Sequence, residues 1–355
     1  MPGDSIDGPE AITVFFARLQ QAADKLFSLV DRFDTAEVLA IGDLTLDEFL
    51  TGEVERISRE APVLILRHEH TRQTPGGGAN AAYNLATLGA RVRVVGSVGG
   101  DPQGDAIANM FATAGINTAG IVRETERPTV TKTRISGHAR QSVTQQIVRV
   151  DRLSDAQPTP ALEAQLATWV QQQLQGVDAV VCSDYGRGTL CAPTIAAALQ
   201  HDRVIVDAQT NLPRFAGATI FTPNVPEAEK AVGYGIVDTD SLLAAGRDLL
   251  ASTQAQYILL TRGESGMSLF AKDGSVEHIP AFNHTDVYDV TGAGDTVVAG
   301  LTLGLCGGGS YWEAAILGNL AASLVVRQFG TATTTVTALR EALRVLLAEG
   351  AEGLA

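Results

Sequence analysis

The chain has 355 residues, 45% of them hydrophobic, and a formal net charge of −14. That length suits one large domain or two smaller ones. No run of roughly 18 uncharged apolar residues is present, as a membrane-crossing helix would require. The acidic balance argues against nonspecific binding to nucleic acid or anionic membranes.

Residues 1–10 are acidic and polar, without the basic and apolar regions of a signal peptide. Cys182, Cys191 and Cys306 are odd in number and lack metal-ligand spacing, so they read as free thiols in a reducing cytosol. Ile12, Phe15, Phe16, Leu19, Ala23, Leu26, Phe27 and Val30 recur near helical spacing, which predicts one amphipathic helix over 10–33, an appendage to the main domain. Short β-branched runs then predict strands over 38–42, 92–96, 179–182, 204–207, 219–222 and 257–261. Helical patterns separate them, over 80–88, 105–114, 161–174, 193–200, 226–232 and 239–252. Repeated βα units with strands apolar throughout imply a mainly parallel sheet covered on both faces. Ligands on such a sheet bind at the carboxyl ends of the strands. Two stretches break the pattern. Residues 48–74 and 121–151 hold extended segments with no helix between them, and 129–135 with 145–150 read as a hairpin. Together they predict a small β-lid.

Residues 42–48 (GDLTLDE) follow the first strand. Asp43 and Asp47 there can accept hydrogen bonds from sugar hydroxyls, or can be ordinary turn residues. The run 75–80 (PGGGAN) opens a helix, and its glycines let backbone approach a ligand while Asn80 offers a donor and an acceptor. Its loose fit to G-x-G-x-x-A is not a dinucleotide fingerprint, because no good strand leads into it and no acidic ribose partner follows the next strand. No G-x-x-x-x-G-K-[ST] motif occurs. Residues 183–188 (SDYGRG) follow another strand end; Arg187 could reach a phosphate and Tyr185 a ligand edge, or the segment is an exposed turn. Asn224 and Glu227, three apart, could order water on a magnesium ion, or form a helix capping pair; both can hold at once. In the hairpin, Lys132 and Arg134 share one strand face and Arg149 lies on the adjoining strand. Such charges are usually solvated, but in so acidic a chain a basic cluster over the crevice would draw in an anion.

The most telling segment is 289–296 (DVTGAGDT), ahead of an apolar helix of small residues. Gly292, Ala293 and Gly294 at a helix start leave backbone N–H groups unpaired at the positive end of the dipole, an anion site. Asp295 beside it either caps the helix or takes a proton from a nucleophile attacking a phosphoryl group held there.

Taken in order, these motifs resemble the ribokinase/PfkB carbohydrate kinase family over about residues 37–340. Within it the chain looks most like the kinases of ADP-heptose synthesis, which phosphorylate O1 of a heptose 7-phosphate. The carrying segments are 41–47, 56–62, 131–134, 146–151, 183–185 and 287–296. The resemblance implies a ribokinase-like three-layer α/β/α fold with a β-lid, and an ATP-dependent kinase needing Mg²⁺. It makes Asp295 the base, and Gly292, Ala293 and Gly294 the anion hole. It gives Asp47, Gly77, Gly78 and Asn80 to sugar hydroxyls, and Asn224 and Glu227 to Mg-ATP. Thr261, Gly263, Gly266 and Asn319 fall in the nucleotide pocket, and Asp289 and Gly330 near a K⁺ loop. It also implies a cytoplasmic enzyme, a small-molecule acceptor and a homodimer formed through the lid. A helical extension (1–36), a kinase domain (37–345) and a tail (346–355) are the expected divisions. Two departures bear on the acceptor: 206–210 (VDAQT) stands where the heptose kinases read Asp-Pro-Lys-Gly, and Arg59 replaces a usual proline. The nucleotidylyltransferase domain of many relatives, with its H-x-G-H, is absent from the chain. The competing readings are a kinase for another sugar, sugar phosphate or nucleoside, and a non-catalytic sugar-binding regulator.

Overall fold

The computed structural model describes residues 8–139, 144–282, 289–328 and 330–350. Along β1 (Glu37–Gly42), Val38 and Ala40 point into one hydrophobic cluster while Leu39 and Ile41 point into another. This period-two split places the strand between two apolar layers. β1 lies inside a nine-stranded sheet of order β13-β12-β11-β10-β9-β8-β1-β4-β5. Its parallel members are β4 (Arg91–Gly99), β5 (Asn117–Glu124), β8 (Ala179–Asp184), β9 (Val204–Ala208), β10 (Ile220–Phe221) and β11 (Tyr257–Thr261). β12 (Met267–Ala271) and β13 (Val276–Ile279) extend it antiparallel. These two strands lie outside the sequence expectation, and β10 is shorter than the expected 219–222.

The second sheet has four strands, ordered β3-β2-β6-β7. They are β2 (Leu44–Ile57), β3 (Leu64–Gly77), β6 (Val130–His138) and β7 (Gln145–Arg152). This is the expected lid, with one correction. Ile121 and Val122 pair with Gly96 and Ser97 of β4 and belong to the main sheet, so the second lid segment begins at β6. Residues 140–143 at the hairpin tip lie outside the described set.

Helices cover both faces. α3 (Gly78–Thr87), α9 (Ala293–Cys306), α10 (Tyr311–Val325) and α11 (Val336–Glu349) contribute to one cluster, and α5 (Pro160–Gln173), α6 (Ala192–Ala198), α7 (Val225–Val232) and α8 (Thr239–Thr253) to the other. α4 (Pro102–Thr113) supplies Ile107 and Phe111 to the first. α11 runs past the boundary expected at 345. The predicted helix over 10–33 is two helices, α1 (Pro9–Gln21) and α2 (Ala23–Val30), which meet at Ala22. The break lets Phe15, Phe16 and Leu19 of the first and Leu26, Leu29 and Val30 of the second enter the same core as the kinase sheet. The pair is thus built into the domain. Among the described residues no helix is long and apolar enough to cross a membrane; α9 and α10 are apolar because they are buried.

α9 and α10 cross at bare backbone. A Cβ on Gly300 would stand 2.8 Å from the Cα of Gly318. Gly300→Ala must therefore push the helices apart, and we expect a loss of about 1–3 kcal/mol. Chemical denaturation should show a lower midpoint at unchanged m-value; an unchanged midpoint would mean that the crossing is looser than described.

Candidate active site

The carboxyl ends of β1, β8 and β9 are in register, with Gly42 beside Ser183 and Ser183 beside Asp207. Loops leaving these ends converge on the start of α9. Gly292 takes φ +82°, a left-handed conformation that glycine enters without a Cβ clash, and it turns the chain into the helix. The first helical bond runs from the Thr296 N–H to the Gly292 carbonyl. The Ala293 N–H donates to Val290, so of the three expected anion-hole residues Ala293 has its amide engaged. Gly294 faces open space, with no atom within 4 Å of where a Cβ would stand.

Asp295 sits in the first turn of α9 and is only 4% exposed. Burial raises its carboxyl to about 7. Two hydrogen-bond donors and one cation work against burial. Asn80 Nδ2 donates to Oδ2 at 2.8 Å and the Tyr185 hydroxyl to Oδ1 at 3.3 Å, and Lys132 adds positive charge, while the nearby Asp47 carboxylate pushes the other way. Asn80 is itself fixed. Its Oδ1 accepts from Asn84, whose own Oδ1 accepts from the Thr296 hydroxyl. This buried chain ties α3 to α9 around the carboxylate. Asn80 is expected to hold a sugar; here one N–H of its amide and its Oδ1 are engaged within the protein, so it also orients Asp295.

The glycines before it are needed for packing as well. A Cβ on Gly77, which has φ +53°, would meet the Asp43 carbonyl and Thr45; one on Gly78 would meet Gly42 and Asp43 backbone at 2.9 Å. Their bare faces are covered by protein and allow α3 to press on the end of β1.

Asp43 and Asp47 have opposite fates. Asp43 Oδ2 accepts from the Tyr185 and Arg187 N–H groups and Oδ1 from the Thr189 N–H, all at 2.9–3.0 Å. It folds loop 185–189 and is a turn residue, contrary to the sugar-binding expectation. Asp47 on β2 is buried against the lid, where Oδ1 accepts from Arg134 at 2.8 Å. Lys132 stands beside Asp47 across the strands, and its ammonium lies 5.4 Å from the Tyr185 ring centre. Lys132, Arg134, Asp47, Tyr185 and Asp295 therefore meet under the lid. Arg149 pairs in register with Arg134, but its guanidinium is held by both Asp151 oxygens at an exposed position. Arg187 does not join them either. Loop 185–189 turns about Asp43 and sends Arg187 into a separate small cleft with Glu124 and Arg127.

On the other side of Asp295 lies a cavity of about 560 Å³. Thr261, Gly263, Gly266 and Asn319 line it, as their sequence positions implied, and so do Ala293 and Gly294. It runs from the strand-end loops to the start of α9. Asn224 and Glu227 cap α7 reciprocally, with the Glu227 N–H donating to Asn224 Oδ1 and the Asn224 N–H to Glu227 Oε2. Burial raises the Glu227 carboxyl, against those hydrogen bonds. Asp207, at the end of β9, was missed. Burial first, then the charges of Asp295 and Glu227, push its carboxyl well above the usual range. Its strand-end position is the signal the sequence carries for it. Among the described residues, no three His, Cys, Asp or Glu side chains converge to hold a bare ion. Asp289 accepts from the N–H groups of Thr291 and Gly330, and these hydrogen bonds outweigh burial and hold its carboxyl low; it joins the two loops expected near a monovalent cation. Val287 and Tyr288 lie outside the described residues.

A family model described as pfkB family carbohydrate kinase matches residues 35–338. The chain belongs to the pfkB family of carbohydrate kinases. As a pfkB kinase it is a phosphotransferase with an alcohol acceptor. It is 41% identical over 314 residues to the bifunctional protein HldE of Trichlorobacter lovleyi, covering 87% of this chain and 63% of that protein. The bifunctional protein HldE of Coxiella burnetii is 38% identical over 335 residues, with coverage of 92% and 67%. The kinase chain thus spans about two thirds of the length of these relatives. Its fold is also that of Arabidopsis thaliana ribokinase complexed with ribose and ATP, at TM-score 0.66, 19% identity and coverage of 88% and 98%. Phosphofructokinase-2 from Escherichia coli in complex with potassium gives TM-score 0.70 at 20% identity, covering 88% and 98%.

If Asp43 is the fastening of loop 185–189, Asp43→Ala leaves three backbone donors without an acceptor. We expect a stability loss of roughly 2–4 kcal/mol by denaturant titration, with faster amide exchange at Tyr185, Arg187 and Thr189. A fully stable variant with only a raised acceptor KM would return Asp43 to the sugar-binding role.

Proposed function

We propose that this pfkB kinase transfers the γ-phosphate of ATP to a hydroxyl of a sugar phosphate, a heptose 7-phosphate at O1 being the acceptor its motifs match best. The observation that carries this reading is one cavity whose wall includes both Thr261, Gly263, Gly266 and Asn319 and the Gly294 corner, one residue from the buried Asp295 carboxylate. A nucleotide lying along it would bring its terminal phosphate to the helix start, where N–H groups and the dipole favour anions.

In the step we assign, an acceptor hydroxyl oxygen bonds to the γ-phosphorus while the bond to the β–γ bridging oxygen breaks and ADP leaves. The hydroxyl proton passes to Asp295, whose carboxyl near 7 suits a general base at neutral pH. Gly294 and the α9 terminus take up charge on the phosphoryl oxygens. Asn80 and Tyr185 hold the carboxylate in place, and Asp47 with Lys132 and Arg134 forms the acceptor side under the lid. The phosphorylated acceptor is favoured because Lys132 stands there beside the Arg134–Asp47 pair, a local positive charge in a protein of net charge −14.

Magnesium fits the nucleotide side. Burial of the Asp207 carboxyl at the end of β9, together with the charges of Asp295 and Glu227, holds it well above the usual range, and a divalent ion would relieve that repulsion. Glu227 and Asp207 would hold it through water and phosphate oxygens, and bound magnesium draws charge off the transferring phosphate. We assign Asp289 to fastening the loop expected to take a monovalent cation. We also propose a cytoplasmic homodimer joined by the lids, since Ile57, Leu64, Ile147, Val148 and Val150 are exposed on lid strands. The Gln209 that stands where heptose kinases carry lysine favours the runner-up, the same chemistry on another sugar, sugar phosphate or nucleoside.

ADP release from Mg-ATP should be measured against a panel of sugars and sugar phosphates, with heptose 7-phosphate included. We expect the phosphorylated heptose to give the highest kcat/KM, and that value to fall tenfold per pH unit below about 7, since only the ionised Asp295 accepts a proton. Asp295→Asn should lower kcat by about 10²–10⁴ with little change in nucleotide affinity. A rate flat down to pH 5, or near-normal turnover by Asp295→Asn, would defeat the mechanism; a plain sugar as best acceptor would defeat only the phosphate reading.

A further inference from the structure

The wall of the nucleotide-side cavity is thin where the chain leaves β13. Segment 279–282 is clamped from several directions. Gly266, at φ +77°, lies so close that a Cβ there would stand 2.6 Å from the Ala281 nitrogen. Asn319 Nδ2 donates to the Pro280 carbonyl at 2.7 Å. Ala281 and Phe282 face the cavity. Behind Phe282 stands α1, whose Phe15 ring lies 6.1 Å from the Phe282 ring and 6.0 Å from Trp312 on α10. Two further contacts pin α1 in that place. The Arg18 guanidinium sits 4.1 Å over the Trp312 ring and pairs with Glu277 of β13 at 2.7 Å. Phe15 and Phe282 are 8% and 9% exposed, so the α1 contact is packed. A second groove, of about 360 Å³, opens on the outer side between α1 and β13, lined by Phe15, Arg18, Pro280 and Trp312. Pro280 faces that groove while Ala281 and Phe282 face the nucleotide side. One strand of chain thus separates the two spaces, and without the Phe15 ring Phe282 has room to fall back from the cavity.

We propose that α1 is a positioning element for the nucleotide: Phe15 acts through Phe282 to hold the cavity wall at the spacing the nucleotide needs. The inference rests on the reading of this cavity as the nucleotide site and gives the N-terminal helix pair a role in donor binding. It does not touch the acceptor side, since Lys132, Arg134 and Asp47 stand on the lid across Asp295 from this wall.

The test uses the full chain, with a non-hydrolysable ATP analogue titrated by calorimetry and with KM values for ATP and acceptor. Phe15→Ala should weaken the analogue and raise the ATP KM by roughly 3- to 30-fold, the span of energetic coupling between packed neighbours. Acceptor KM and kcat should stay within about twofold of wild type, as for sites without shared contacts. Phe15→Leu, which refills most of the space, should recover most of the affinity and guards against a variant that simply unfolds. Phe15→Ala combined with Phe282→Ala should be no weaker for the analogue than Phe282→Ala alone. Fully additive losses, or loss of ATP and acceptor binding together in Phe15→Leu, would overturn the proposal. Phe282→Ala separates the two levels. An affinity it leaves unchanged defeats the nucleotide reading of the cavity itself. An affinity lowered by Phe282→Ala and unmoved by Phe15→Ala defeats the positioning role alone.

Discussion

A single carboxylate, taken out of water at the positive end of a helix, organises the chemistry of this molecule. Burial of an isolated ionised group is costly enough that it would keep its proton and be useless as a base. At Asp295 that tendency is partly offset by Asn80, Tyr185 and Lys132, each delivered by a different part of the fold: α3, the loop after β8, and lid strand β6. The balance leaves the group poised near neutrality rather than fully neutral or fully ionised. Any displacement of α3, the loop or the lid changes that balance, so the base is set by the fold as a whole.

The same arrangement divides the site. One side, toward β11 and α10, is a cavity with open backbone at Gly294; the other, under the lid, is a charged patch in which Asp47 and Arg134 satisfy each other. Such a pair contributes little net stability when buried, which suits a role in binding a polar acceptor better than one in holding the sheets together. Fastening is left to groups that look similar in sequence, Asp43 and Asp289, whose oxygens are taken by backbone N–H donors. The short step along the chain from Asp43 to Asp47 is enough to separate a structural carboxylate from one at the reactive centre.

This difference marks how far the sequence could be read. The alternation of strands and helices, the lid and the Gly-Asp corner at 292–295 were legible because each is written in neighbouring residues. The three-layer architecture followed, and the family match agrees with it. What was not legible depends on contacts between distant segments. Asn80 meets Asp295 across 215 residues, so nothing local distinguishes an amide that holds the base from one that holds a sugar. Arg187 was misplaced because its direction is decided by how loop 185–189 wraps Asp43, and Arg149 because its partner Asp151 sits two residues away on the same strand face. The break at Ala22 was invisible to periodicity, since both halves keep helical spacing and only the shared core requires them to turn.

The claim at the centre of this account is that Asp295 is held at the edge of ionisation. Carbon-13 NMR of aspartate-labelled protein, with Asp295→Asn used to assign the resonance, measures this without any assumption about substrate. The account predicts a carboxyl that titrates near 7, and that moves higher in Asn80→Ala as a donor to the charged form is lost. A resonance already ionised below about pH 5, in the ordinary aspartate range, would contradict it.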